Sequence, residues 1–166
     1  MLSFHTVKLV KSFLCENRQD VIWLILILHF FFFRLNSTEG WLADAVGNYS
    51  FDTKCTWLIE APNTESKIRL HLKEFATECG WDHLYIFDGD SVFSDLLGVL
   101  SGMIRQDRYS VKRVPEVVGR SGNMLIHFYS DVAYNLTGFN ITFTIGKNSF
   151  LPNIQGAKIK TVLSKV

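Results

Sequence analysis

Short runs of alternating apolar and polar residues fill the chain from Gly47 onward. Leu84 and Ile86, for example, alternate with Tyr85 and Phe87, which is the period of a β-strand with one buried face. Four further runs share this period: Cys55–Ile59, Ile68–Leu72, Met124–Phe128 and Phe139–Ile145. Turn residues separate the runs, and no long stretch has the period of an amphipathic helix. The pattern predicts an all-β fold, an antiparallel sandwich that buries one face of each sheet.

The N-terminal part of the chain has a different character. Basic residues precede Val21–Phe33, an apolar run of 13 residues that only His29 interrupts. This length is typical of a signal-peptide core and is shorter than the about 20 residues of a membrane-spanning helix. A retained signal anchor, a buried core helix and a mis-assigned start of the reading frame are the alternatives. The interpretation divides the chain into a targeting segment (1–45), a domain of short strands (46–146) and a basic C-terminal extension (147–166).

Composition and charge narrow the function classes. With 166 residues, of which 48% are hydrophobic, the chain can bury the core of one domain. The formal net charge is +1, but the part from Trp41 to Leu100 is acidic and the part from Ser101 to Val166 is basic. No basic face is combined with stacking aromatic residues, so nucleic-acid binding is not expected. The basic stretch Arg105–Pro115 is predicted to be a loop or an irregular edge.

Four Asn-x-Ser/Thr sequons favour the secretory pathway, at Asn36, Asn48, Asn135 and Asn140. Each match alone is weak, but four in a short chain with a targeting-like apolar run support one another. The sequence therefore predicts a glycoprotein that is secreted or displayed at the cell surface. Contact with a membrane is expected only through the N-terminal segment, if that segment is not cleaved.

Sequence motifs of enzymes are missing. The chain has no Gly-x-Ser-x-Gly elbow, no His-Glu-x-x-His, no Cys-x-x-Cys and no phosphate-binding glycine loop. The stretch Cys79–Asp90 is rich in carboxylates, but a chain of this size offers little cleft for a sugar substrate. The sequence therefore predicts a binding or structural protein rather than an enzyme.

Three motifs in order resemble those of a CUB domain, from about Gly47 to Gly146. They are Cys55-Thr56-Trp57-Leu58-Ile59, the stretch from Cys79 to Gly89 with Asp82, Leu84, Ile86 and Asp88, and Phe128-x-Ser130-Asp131 followed by Thr137-Gly138-Phe139. Finer likenesses, among them Phe75–Cys79, Val114–Val118 and Ala133–Thr142, are similar to the CUB domain of the attractin family. Attractin-family proteins are larger glycoproteins, so the resemblance implies a fragment, a short isoform or a truncated gene model.

The resemblance implies a jelly-roll-like sandwich of two antiparallel sheets that binds other proteins. Many CUB domains hold a calcium ion at one edge, and by position the ligands are Glu74, Asp82 and Asp131, with Tyr49 in support. Calcium prefers such oxygen donors, and without a cation the three carboxylates repel one another. In the alternative interpretation Glu74 is a polar residue at a strand end, and the two aspartates accept hydrogen bonds in turns.

The resemblance also bears on the cysteines and the core. CUB domains usually have two disulfides, but the expected partners of Cys55 and Cys79 are missing, and the one other cysteine is Cys15. Cys55 and Cys79 are therefore expected to be two free, largely buried thiols. Trp57 and Trp81 are both expected in the core. Two functions stay open: an extracellular module that uses calcium to recognise a basic group on an unidentified protein partner, and a structural spacer without its own ligand.

Overall fold

Strands make up all the regular secondary structure in the described part of the chain. The computed structural model describes residues 12–14, 31–45, 47–104 and 116–146. Its strands are β1 (Ser12–Leu14), β2 (Phe31–Leu35), β3 (Glu39–Ala43), β4 (Lys54–Glu60), β5 (Lys67–Ala76), β6 (His83–Asp88), β7 (Asp95–Leu100), β8 (Met103–Ile104), β9 (Glu116–Gly119), β10 (Asn123–Tyr129) and β11 (Gly138–Gly146). Within these ranges there is no helix with the length and hydrophobicity that crossing a bilayer requires.

The strands form two sheets. One has the order β1-β3-β11-β5-β8, with β9 also paired to β5, and the other has the order β2-β4-β10-β6-β7. Most neighbouring strands are antiparallel, as the alternating pattern predicts, but β1 pairs with β3 and β2 pairs with β4 in parallel. The predicted all-β sandwich is confirmed, with these two parallel pairs in addition.

The inner faces of the sheets meet in one apolar core. Trp57 on β4 is fully buried, and its ring meets that of Phe139 on β11 at 5.9 Å in an edge-on contact. Phe128 on β10 lies 5.1 Å from the same Phe139 ring. Because the apolar residues at alternate positions of these strands point inward, truncating one of these rings to alanine is expected to cost about 3–5 kcal/mol. The predicted alternation is confirmed in β6 and β11, whereas β4 is buried on both faces from Cys55 to Ile59.

Three strands, β1, β2 and β3, lie where the sequence predicts a targeting segment. Leu35 on β2 pairs with Ile59 and is almost completely buried, and β3 pairs with β11 along its length. The sandwich therefore begins before residue 46, because a short apolar run fits a buried strand as well as a targeting core. The remainder of the Val21–Phe33 run, residues 21–30, lies outside the described residues. The predicted loop at 105–115 and the extension at 147–166 lie outside them as well.

A β-bulge interrupts β5 near its C-terminal end. Asn140 pairs with Glu74 and the next residue, Ile141, pairs with Leu72, so Lys73 is the extra residue. Lys73 and Glu74 are consequently both exposed, instead of alternating between the two faces. A bulge changes the direction of the side chains that follow it. Here it leaves Glu74 on the outer face of the sheet.

Candidate metal centre

A tight turn between β5 and β6 brings Glu78 back towards Asp82. The backbone N–H groups of Trp81 and Asp82 donate to the carbonyl oxygen of Glu78 at 3.3 and 3.1 Å. Gly80 has a φ of +85°, which a residue without Cβ adopts at little cost. Ser101, directly after β7, stabilises the turn through two hydrogen bonds. Its Oγ accepts the N–H of Gly80 at 2.7 Å, and its hydroxyl donates to the Glu78 carbonyl at 3.1 Å.

Asp82 is fully buried at the start of β6, and its carboxylate is satisfied from two sides. The hydroxyl of the buried Tyr49 donates to Oδ2 of Asp82, and the same hydroxyl accepts the N–H of Glu78 at 3.1 Å. Oδ1 of Asp82 accepts the N–H of Asp131 at 2.9 Å. Burial, and then the hydrogen bond to Asp82, raise the pKa of Tyr49 above its ordinary value, so the phenol stays a neutral donor.

Three carboxylates converge at this edge of the sandwich. Glu78, Asp82 and Asp131 each offer an oxygen atom within 4.8 Å of the others. Burial, followed by the negative charges of Asp131 and Asp82, raises the pKa of Glu78 above its ordinary value. Oε2 of Glu78 is buried and has no hydrogen-bond partner among the described residues. Crowded carboxylate oxygens with an unused acceptor fit a hard cation such as calcium.

The sequence analysis predicted three of the four residues that meet at this edge, but not Glu78. Tyr49, Asp82 and Asp131 lie together as predicted, whereas Glu74 is exposed on β5 and is not part of the cluster. Glu78 provides the third carboxylate, since the bulge in β5 turns Glu74 outward and the following turn brings Glu78 inward. Glu78 lies four residues before Asp82, with Gly80 between them. This spacing is the feature of the sequence that could have identified Glu78 as a candidate ligand.

The two aspartates also accept the backbone hydrogen bonds that the alternative without a metal predicts for them. Oδ1 of Asp131 accepts the N–H of Ala133 at 2.8 Å, and Oδ1 of Asp82 accepts the N–H of Asp131. With the hydroxyl of Tyr49, these bonds engage both oxygens of Asp82 and one oxygen of Asp131, and each carboxylate oxygen keeps a further lone pair. They are therefore compatible with a metal centre, and they do not account for the buried oxygen of Glu78.

The prediction of two free, largely buried thiols is wrong. Cys55 is fully buried and disulfide-bonded. Cys79, which lies in the turn between Glu78 and Asp82, is exposed. The prediction set Cys15 aside together with the presumed targeting segment, and Cys15 lies outside the described residues.

The two tryptophans have opposite environments. Trp57 is fully buried, as predicted, but the prediction for Trp81 is wrong, because 64% of its surface is exposed. Trp81 lies in the turn beside the buried Asp82. When Asp82 points inward, the residue before it points outward.

The sequon asparagines lie at the surface to different degrees. Asn36 and Asn48 are exposed, while Asn135 and Asn140 are half-buried. Nδ2 of Asn135 donates to the carbonyl oxygen of Tyr49 at 2.9 Å. Asn140 occupies the polar face of β11, as the alternation predicts. Glycosylation at all four positions stays a prediction.

Comparisons with known proteins give a consistent result. The family model described as "CUB domain" matches residues 35–143. The putative protein tag-53 of Caenorhabditis elegans is 40% identical over 110 residues, which are 66% of this chain and 8% of that protein. Human multiple epidermal growth factor-like domains protein 8 is 42% identical over 109 residues, which are 66% of this chain and 4% of that protein. The chain thus spans less than a tenth of the length of these relatives.

A solved structure of a similar fold is the MASP-1 CUB2 domain bound to Ca²⁺. It has a TM-score of 0.54 and 18% sequence identity, and the match covers 67% of this chain and 96% of that one. At this level of identity the likeness concerns the fold.

Proposed function

This chain belongs to the CUB domain family, and from that premise we propose that it is a calcium-dependent recognition module of an extracellular glycoprotein. CUB domains are protein-binding modules of extracellular proteins. Calcium would be held by Glu78, Asp82 and Asp131, with Tyr49 orienting Asp82. The observation that carries the proposal is the convergence of these three carboxylates within 4.8 Å, with a buried oxygen of Glu78 left without a partner.

The charge of the cluster suggests the chemistry of the partner. Three carboxylates and one calcium ion leave a net negative charge, so a lysine or arginine of a protein partner would be attracted to them. The contact would weaken at high salt, because it lies at the surface, and in the presence of a chelator. The MASP-1 CUB2 domain has a similar fold and is bound to Ca²⁺, which supports the choice of ion by analogy.

The compartment is part of the same proposal. A disulfide-bonded Cys55 and four sequons suit the oxidising secretory pathway, and the two relatives named above are more than ten times longer than the matched region. We therefore propose a secreted or cell-surface location, with glycans on Asn36, Asn48, Asn135 and Asn140. The motif likeness to attractin supports an attractin-like glycoprotein as the host of the domain.

Thermal unfolding of the full 166-residue chain in calcium and in chelator tests the metal centre. Because only the folded state would bind calcium tightly, the melting temperature should rise with calcium concentration, by the equivalent of about 2.7 kcal/mol at about a hundred times the dissociation constant. Glu78→Gln and Asp131→Asn should each abolish most of this rise.

Glu74→Gln is the matched control, because it removes a carboxylate that lies outside the cluster, and it should leave the rise unchanged. If Glu74→Gln alone abolished the rise in melting temperature, the third calcium ligand would be Glu74, as the family resemblance implies. Identical unfolding curves in calcium and in chelator would contradict the metal centre and favour the structural spacer.

A further inference from the structure

Trp41 lies on the outer face of the sheet that contains β3, β11 and β5. Its neighbours along β3, Gly40 and Leu42, are buried, whereas Trp41 itself is half-buried. Leu42 belongs to the apolar core, so the alternation of the strand places the indole of Trp41 on the side that faces solvent. The packing of the core therefore does not account for a tryptophan at this position.

Strand pairing brings this ring next to a sequon. Trp41 pairs with Thr142 of β11, which is the third residue of the sequon that begins at Asn140. Asn140 shares the outer face with Thr142 and is therefore a diagonal neighbour of Trp41. Diagonal positions on paired strands lie about 7–8 Å apart, which is within reach of aromatic and long side chains.

The polar atoms of both side chains are available. Among the described residues, neither the indole N–H of Trp41 nor the side-chain amide of Asn140 has a hydrogen-bond partner. Two other sequon asparagines differ in this respect. Nδ2 of Asn135 donates to the carbonyl oxygen of Tyr49 at 2.9 Å, and Nδ2 of Asn48 donates to Oδ1 of Asn135 at 3.5 Å. The amide nitrogen of Asn140 is thus open to a glycosidic bond.

The first sugar of an N-linked glycan matches the chemistry of this place. N-acetylglucosamine has a face of C–H groups that can lie on an indole ring, and its acetamide carbonyl can accept the indole N–H. Polar side chains for its hydroxyl groups come from β5, where His71 pairs with Thr142 and Glu74 pairs with Asn140. A covalent bond to Asn140 would hold the sugar at this face, which gives it a high effective concentration beside the ring.

We propose that Trp41 is the docking site of the glycan on Asn140, with the first N-acetylglucosamine packed against the indole. This inference rests on the proposed function, because that function includes a glycan at Asn140. The contact forms only when β3 and β11 are paired, so the glycan stabilises the folded state. It also covers part of the outer face of this sheet and keeps protein partners away from it.

Oxidative footprinting of the full chain, secreted from a eukaryotic cell line, tests the contact directly. Glycopeptide mass spectrometry first establishes that Asn140 carries a glycan. Hydroxyl radicals should then oxidise Trp41 severalfold faster in Asn140→Gln than in the parent, because the ring has lost its cover. Trp81, which is 64% exposed in the turn before Asp82, is the internal control and should be oxidised equally in both.

A double-mutant cycle measures the effect on stability. Asn140→Gln should lower the melting temperature by about 3 °C in the parent. The same substitution should have almost no effect in a Trp41→Thr background, where the ring is missing but the preference for a strand is kept. Asn36→Gln removes an exposed sequon asparagine between β2 and β3, and its effect should be equal in both backgrounds. The chain made in a bacterial periplasm that lacks N-glycosylation should show no coupling between Trp41 and Asn140.

Several results would overturn the inference. With Asn140 glycosylated, equal oxidation of Trp41 in the parent and in Asn140→Gln would show that the sugar does not cover the ring. Equal effects of Asn140→Gln in the two backgrounds would contradict the stabilising contact. Coupling of the same size in the bacterial chain would assign it to the asparagine and not to the sugar. A secreted chain without a glycan at Asn140 would also contradict the proposed function at this position, and mass spectrometry distinguishes that failure from the others.

Discussion

Asp44 brings a carboxylate into the interior of the sandwich, directly after β3. Only 1% of its surface is exposed, Oδ1 accepts the N–H of Phe139 at 2.9 Å, and Oδ2 has no hydrogen-bond partner among the described residues. Gly138 packs against the carboxylate with a φ of +73°, and a Cβ at that position would overlap with it. Burial raises the pKa of Asp44 to about 6, although the hydrogen bond from Phe139 opposes the change.

The pH dependence of stability should reveal this carboxylate. Asp44 binds its proton more tightly in the folded protein than in the unfolded chain, where its pKa is 3.8. The stabilisation from protonated Asp44 is thus fully present below about pH 4 and is lost as the pH rises through about 6. The difference between the two pKa values corresponds to about 3 kcal/mol. Asp44→Asn keeps an acceptor for Phe139 but cannot ionise.

Urea denaturation between about pH 4 and pH 8, in chelator, checks the prediction. The stability of the parent relative to Asp44→Asn should fall by about 3 kcal/mol across this range. Asp90→Asn, at an exposed position, serves as the control and should run parallel to the parent. A parallel profile for Asp44→Asn as well would show that the buried carboxylate has an ordinary pKa.

The sequence could not predict Asp44 as a buried residue. Its neighbours along the chain, Ala43 and Ala45, carry no signal of a polar contact. Its burial depends on Gly138 and Phe139, which are more than 90 residues away in the sequence. Tyr49 and Asp82 were predicted to lie together only because of the resemblance to CUB domains. The pattern of apolar and polar residues around each of them does not indicate that they are in contact.

At the scale of elements, the turn from Glu78 to Asp82 couples the stability of the sandwich to the geometry of the candidate metal centre. Ser101, which directly follows β7, makes two hydrogen bonds to this turn, accepting the N–H of Gly80 and donating to the carbonyl oxygen of Glu78. A ligand residue on a loop keeps its direction only if such contacts fix the loop.

Ser101→Ala should therefore affect both stability and calcium binding. Loss of the hydroxyl should cost about 1 kcal/mol of unfolding free energy and should weaken calcium binding severalfold, because Glu78 is then less well oriented. Calorimetric calcium titration together with urea denaturation measures both effects. Ser91 lies in the hairpin between β6 and β7, at the other end of β6 from Asp82, and its hydroxyl accepts the N–H of Phe93. Ser91→Ala removes this hydroxyl and should leave calcium affinity unchanged. Unchanged affinity in Ser101→Ala would mean that the turn keeps Glu78 in place without the serine.

The alternating pattern predicted the elements with a buried and a wet face, such as β6 and β11. It failed at the bulge in β5, where two successive residues, Lys73 and Glu74, face outward. A bulge is set by the partner strand, so the period of one strand alone does not reveal it. The exposure of Glu74 outside the carboxylate cluster and the position of Glu78 within it both follow from this local change of register.

At the scale of the whole molecule, the sheets include strands that lie before residue 46, where the sequence analysis begins the domain. The apolar run that ends at Phe33 fits a targeting core by length, but β2 occupies its end and extends the second sheet beside β4. Length and hydrophobicity alone do not distinguish a buried strand from a targeting segment, whereas pairing with β4 does. The expectation of a free Cys55 thiol set Cys15 aside together with the same segment, and Cys15 lies outside the described residues.

The disulfide of Cys55 connects the sandwich to the redox state of its surroundings. Cys55 lies near the start of β4, between β10 and β2 of the second sheet, where it pairs with Phe128 and with Phe31. A disulfide mainly restricts the unfolded chain, and removing one from a small secreted domain costs about 2–5 kcal/mol. Reduction should therefore lower the unfolding free energy by about 3 kcal/mol. Urea denaturation with and without reductant measures the difference.

Cys55→Ala separates the bond from other effects of the reductant. This variant lacks the disulfide, so it should be about as unstable as the reduced parent, and adding reductant should not change it further. Equal stability of the parent in both conditions, or a reductant effect that persists in Cys55→Ala, would contradict a stabilising bond at Cys55. If the prediction holds, the fold is most stable in an oxidising compartment, and the location inferred from the sequons then agrees with the energetics of the core.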